Sequence, residues 1–64
     1  MTKDEAIDAM REGKKVAHRH FTGEEWVKET GTRYEFEDGC MCEPREFWAH
    51  RVHSSWVDGW SVVN

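Results

Sequence analysis

Residues 2–21, TKDEAIDAMREGKKVAHRHF, decide the fold: a helix, a glycine stop and a basic, histidine-bearing strand follow one another. Thr2 and Glu5 have capping-box spacing. The Thr2 hydroxyl can accept from the Glu5 N–H while the Glu5 carboxylate reaches back to the Thr2 N–H. Asp4 and Glu5 put negative charge at the positive end of the helix dipole. Ala6, Ile7, Ala9 and Met10 form an apolar face at helical spacing, with Lys3, Asp8, Arg11 and Glu12 mostly off it. The pattern predicts a helix over residues 3–12, stopped by Gly13 in a left-handed cap. A helix of about ten residues does not hold alone in water, so its apolar face predicts a packing partner.

Residues 14–21 cannot extend that helix and read as a strand. Alternation puts Val16, His18 and His20 on one face and Ala17, Arg19 and Phe21 on the other. Neither face is cleanly apolar, which predicts a cationic or titratable group near the core or at an interface. Thr22 and Glu25 repeat the T-x-x-E spacing, compatible with a helical turn carrying Trp26 and Val27 or with a turn into a short strand. Residues 30–32 predict a loop. Residues 33–37 alternate, with Tyr34 and Phe36 on one side. Asp38-Gly39 predicts a two-residue type I′ hairpin. That turn pairs Glu37 with Cys40, Phe36 with Met41 and Glu35 with Cys42, placing Met41 on the core face and both cysteines outside.

Pro44 suits the first turn of a second helix, in which Phe47, Trp48, Arg51 and Val52 share one stripe. Asp58-Gly59 predicts a turn and residues 60–63 a closing strand. The expected architecture is α+β: an N-terminal helix packed on a small curved antiparallel β-sheet, with a second short helix near residues 44–52. Residues 1–64 are expected to form a single small domain.

The apolar fraction is 38% and the charged fraction 34%, lean for a chain that buries only roughly 60% of its unfolded surface at this size. Eight aromatic residues must supply much of the core. Self-association is a natural way to bury more, so a homo-oligomer is expected. A net charge of −4 argues against binding duplex nucleic acid, which needs a basic footprint. No apolar run is long enough to cross a membrane and no signal-peptide core is evident, so the expected compartment is cytoplasmic. Two cysteines do not make a disulfide framework.

Gly13 to Phe21 carry G-K-K-V-A followed by basic residues and an aromatic, and the chain closes on Asp58, Trp60, Val62 and Val63. These two ends resemble the Thoeris anti-defence 2 proteins, small phage and prophage domains. They are also similar to small proteins of gut Bacteroides and their mobile elements. The resemblance covers fewer than half of the residues. Where that family has Arg, Gly and Trp after V-A, this chain has His18, His20 and Phe21. The resemblance implies a small antiparallel sheet with a helix, assembly as a homotetramer, and sequestration of a cyclic ADP-ribose signal without turnover. It carries Val16 and Trp60 over as structural positions.

Candidate ligand-binding residues are His18, Arg19 and His20 on the basic strand, Arg51, and Trp56 in a Ser-Ser-Trp-Val-Asp-Gly loop. An aromatic ring can stack a base or ribosyl group while guanidinium groups hold phosphate. Trp56 is expected to be the most exposed tryptophan. The plainer reading makes the tryptophans core and sets Lys14 and Lys15 as charges complementing the helix C-terminus. Cys40 and Cys42, with His18, His20, His50 and His53, are weak zinc candidates, since the usual C-x₂₋₄-C spacing is missing. No catalytic motif is present, and acidic neighbours raise the Cys40 thiol rather than activating it. No cofactor is predicted. The expected function is a non-catalytic phage- or mobile-element-type binding protein that sequesters a small cyclic nucleotide. The alternatives are a protein-interaction module docking through exposed tryptophans and, third, a zinc-stabilised domain.

Overall fold

The computed structural model describes residues 1–63. The chain runs α1 (Lys3–Arg11), β1 (Lys15–His18), β2 (Val27–Thr30), β3 (Arg33–Phe36), β4 (Met41–Cys42), α2 (Pro44–Ala49), a 3₁₀ turn (Ser54–Trp56) and β5 (Trp60–Val63). Every neighbouring pair of strands is antiparallel, in the order β4-β3-β2-β1-β5. The fold is therefore α+β, as expected.

The capping box at α1 forms. The Thr2 N–H donates to Glu5 Oε1 at 2.8 Å and the Glu5 N–H to Thr2 Oγ1 at 3.2 Å. These bonds hold the Glu5 carboxyl below the usual carboxylate range. Glu12 caps the far end and Gly13 follows it out of the helix. Ala6, Ala9 and Met10 are buried in one core with Val16, Val27, Tyr34, Phe47 and Trp60. Two alanines on the buried face let the helix backbone approach the sheet closely. α2 adds Phe47, whose ring stands edge-on to Tyr34 at 5.2 Å and lies 5.9 Å from Phe36. Both helices thus cover the same face of the sheet. The first residues tie down β5. The Met1 nitrogen donates to the Trp60 carbonyl at 2.7 Å, the Trp60 N–H returns to the Met1 carbonyl at 3.2 Å, and the Lys3 N–H reaches the Val57 carbonyl at 2.7 Å.

Three details differ from the sequence-based expectation. The strand ends at His18 rather than Phe21, because the Phe21 N–H donates to the His18 carbonyl at 2.8 Å and closes a turn. That turn swings Phe21 onto the core side, 6.3 Å from the His18 ring, instead of leaving it opposite.

The β3–β4 hairpin is one residue out of the expected register. Asp38 keeps a negative φ, so a type I′ turn is not formed, and Gly39 alone takes positive φ, +87°. The Gly39 N–H donates to the Phe36 carbonyl and the Phe36 N–H to the Cys40 carbonyl, each at 2.9 Å, giving a three-residue loop. The Asp38 side chain accepts from the Cys40 N–H at 3.0 Å and holds that geometry. Tyr34 then pairs with Cys42 and Glu35 with Met41. A one-residue slip exchanges faces. Met41 is 45% exposed, whereas Cys42 packs against the core.

The second helix stops at Ala49, short of the expected residue 52. The Arg51 guanidinium turns back to donate from Nη1 to the Phe47 carbonyl at 3.0 Å, which satisfies a free helix-end carbonyl. Val52 falls off the stripe and is 83% exposed. At Thr22 the T-x-x-E spacing makes a turn into β2. The Glu25 N–H donates to the Thr22 carbonyl and the Thr22 N–H to the Glu25 carboxylate.

Candidate functional site

His18 closes β1 opposite Trp60 on β5, and both are buried. Its Nδ1 accepts from the His20 N–H at 3.1 Å, which places the ring proton on Nε2. Nε2 donates to the Asp58 carbonyl at 2.7 Å and the Ser55 carbonyl at 2.9 Å. Both ring nitrogens are therefore used inside the fold. His18 fastens the end of β1 to the segment between the 3₁₀ turn and β5, and it presents no free nitrogen to a ligand.

The other candidates gather above it. Trp56 stands 4.2 Å from the His18 ring, 5.4 Å edge-on from His20 and 6.0 Å from Trp60. Its carbonyl accepts from Trp60 Nε1 at 2.9 Å. It is half-buried and packs against the core, which corrects the expectation of an exposed loop tryptophan. The cause is the 3₁₀ turn Ser54–Trp56, started by the His53 ring accepting the Ser55 N–H. No tryptophan among the described residues is fully exposed.

Arg51 lies against three rings. Its guanidinium carbon is 3.9 Å from the Phe47 centroid, 5.2 Å from Trp56 and 6.0 Å from Phe21, within cation–π range. Its Nε is buried without a hydrogen-bond partner. Burial pushes the Arg51 pKa down, opposed by nearby Cys42 and Glu25. The group stays charged, since arginine does not deprotonate in proteins. His20 is exposed at the rim. Arg19 is exposed too and reaches Asp58 through one contact of 3.3 Å, a surface pair of little energetic weight.

The structure thus brings His18, His20, Arg51 and Trp56 into one cluster, with Arg19 at its edge. Phe21 and Phe47 complete the sheath around Arg51 and were not among the candidates. Phe47 stands four residues before Arg51, so helical spacing already signalled that contact.

Beyond Arg51 lies a shallow hollow of about 170 Å³, lined by Phe36, Cys42, Glu46, Phe47, His50 and Arg51. It is smaller than the roughly 300–1,000 Å³ of drug-sized sites. A larger hollow of about 410 Å³ sits over Glu43, Pro44, Arg45 and Glu46, away from the cluster and flanked by carboxylates.

Cys40 and Cys42 are free thiols. The Asp38 carboxylate pushes the Cys40 thiol up, and burial does the same to Cys42, so neither is poised as a nucleophile. Among the described residues, no three His, Cys, Asp or Glu side chains converge as a metal site, and no helix is long and apolar enough to cross a membrane. The site and fold define a small α+β chain with a cation–aromatic cluster at one end of its sheet. No family model matches the chain, and no match was found among curated proteins or solved structures.

Proposed function

We propose that the chain is a non-catalytic binding protein that sequesters a small nucleotide signal, of the phage- or mobile-element type that its two ends resemble. The observation that carries this reading is Arg51. It is a charged guanidinium held between Phe47 and Trp56, with an unpartnered Nε, beside a half-exposed indole and the exposed His20. A base or ribosyl group stacks at Trp56 and His20, and Arg19 and Arg51 draw in the phosphates. Sequestration without turnover is supported by the state of the nucleophile candidates. Both thiols are raised, and both His18 nitrogens are engaged by backbone groups.

A thermal-shift titration with cyclic ADP-ribose, ADP-ribose and mononucleotides tests the reading. A ligand that binds only the native state raises the midpoint by mass action. Arg19→Ala and His20→Ala are expected to shrink that rise while leaving the unliganded midpoint in place. Absence of any rise with every nucleotide overturns the reading.

A further inference from the structure

Both helices pack on one face of the sheet, so no helix among the described residues covers the other face, and the strand register dictates what it presents. Met41 on β4 pairs with Glu35 on β3, and Glu35 with Lys28 on β2. The Val16–Val27 pairing sets Lys28 beside Lys15 on β1, and Lys15 pairs with Val63 on β5. One row across all five strands therefore reads Met41, Glu35, Lys28, Lys15, Val63: apolar, acidic, basic, basic, apolar. Trp26 shares this face, with Lys15 Nζ 4.5 Å and Lys28 Nζ 5.9 Å from its ring centroid.

Adjacent like charges on neighbouring strands destabilise a sheet unless something compensates them. Lys28 has Glu35 at 4.0 Å. Lys15 makes no ion pair among the described residues. Lys15 thus has the Trp26 indole but no carboxylate, and the row ends on the exposed Met41 and the half-buried Val63.

We propose that this face docks a second copy of the chain, face to face about a two-fold axis parallel to the strands. Such an axis reverses the row. Met41 meets Val63 of the partner subunit, and Glu35 meets Lys15 of the partner subunit. The central Lys28 and Trp26 meet their own symmetry mates, each Lys28 already compensated by Glu35 and the indole. The contact is isologous, so every apolar and ionic pair occurs twice. A polyanion suits the face less well, because Glu35 stands inside the row. Five strands about 4.8 Å apart give a face roughly 19 Å across, a small footprint that makes the dimer concentration-dependent. The face lies opposite the helices and leaves the Arg51–Trp56 cluster uncovered, so this inference stands apart from the nucleotide reading.

Sedimentation velocity on the full chain at roughly 10 and 500 µM, which brackets weak interfaces, tests it. The expected result is a monomer–dimer equilibrium that weakens with added salt. Lys15→Glu is expected to weaken it at least about tenfold, and the Lys15→Glu/Glu35→Lys double variant to restore it to within a few-fold, because the cross-subunit pairs are re-formed with charges exchanged. Met41→Lys, at an exposed position, is expected to weaken the dimer with the thermal midpoint of the dilute monomer unchanged. A chain monomeric at the upper concentration overturns the proposal. So does a dimer indifferent to both Lys15→Glu and Met41→Lys, or one that the double variant fails to restore.

Discussion

Replacing His18 with leucine puts an apolar side chain of similar bulk in its place and removes three hydrogen bonds. It strands the Ser55 and Asp58 carbonyls and the His20 N–H at the rim of the core. Leaving a buried polar group unpaired costs about 1–3 kcal/mol, and these partly buried groups belong at the low end, so the loss comes to about 3 kcal/mol. At roughly 0.05–0.15 kcal/mol per residue, a chain of this length has about 3–10 kcal/mol in total. One side chain thus carries a third or more of it. In a small domain each kcal/mol moves the midpoint by about 4–8 °C, which predicts a fall of about 12–24 °C. Urea unfolding followed by tryptophan fluorescence and far-UV circular dichroism measures it, with His20→Ala as the exposed control that leaves the curve in place. If His18→Leu unfolds within about 0.5 kcal/mol of the native chain, as a plain surface substitution does, the fastening role of His18 is wrong.

Burial pushes the Tyr34 phenol above its ordinary value, partly offset by the Trp48 Nε1–H that it accepts. Because the unfolded chain ionises first, the Tyr34 contribution is intact below a pH of about 10 and is lost as pH rises through the higher folded value. Thermal midpoints are expected to fall on that alkaline limb, and Tyr34→Phe to flatten the fall; an unchanged limb contradicts the assignment. Native-state alkylation with iodoacetamide is expected to modify exposed Cys40 well before Cys42, as read by peptide mass mapping. Equal rates would point instead to the two-residue hairpin register. Gly39→Ala is expected to cost about 1 kcal/mol for its left-handed backbone, since an added Cβ there meets nothing within 4 Å. Gly59→Ala is expected to cost more in the same unfolding assay, because its Cβ would stand 3.1 Å from His18 Nε2. The reverse order would show that the space around His18 is not closed.

The first helix and last strand were legible because their signals are local. The Thr2–Glu5 box, the Ala6–Met10 stripe and the Trp60–Val63 run each need only their own neighbours. The mixed face of β1 also spoke correctly: a titratable group does sit at the core, and it is His18. The hairpin register was not legible, since Asp-Gly serves both two- and three-residue loops, and the choice was made by the Asp38 side chain on the Cys40 N–H. The burial of Trp56 had no periodic signal, because it depends on His18 reaching across to the Ser55 and Asp58 carbonyls. The convergence of residues 18–20, 51 and 56 follows from β1 pairing with β5, a long-range contact that spacing does not encode. The sheet face that neither helix covers was invisible for the same reason, as it requires knowing that both helices lie on one side.

Equilibrium dialysis of the native chain against cyclic ADP-ribose, with the ligand recovered afterwards by denaturation, tests the central claim most directly. The account predicts saturable binding, recovery of the ligand chemically unchanged, and loss of binding in Arg51→Lys, whose point charge cannot replace the planar guanidinium at the aromatic sheath. No retention of this or any other nucleotide by a natively folded chain, or recovery of a hydrolysed product, would contradict it.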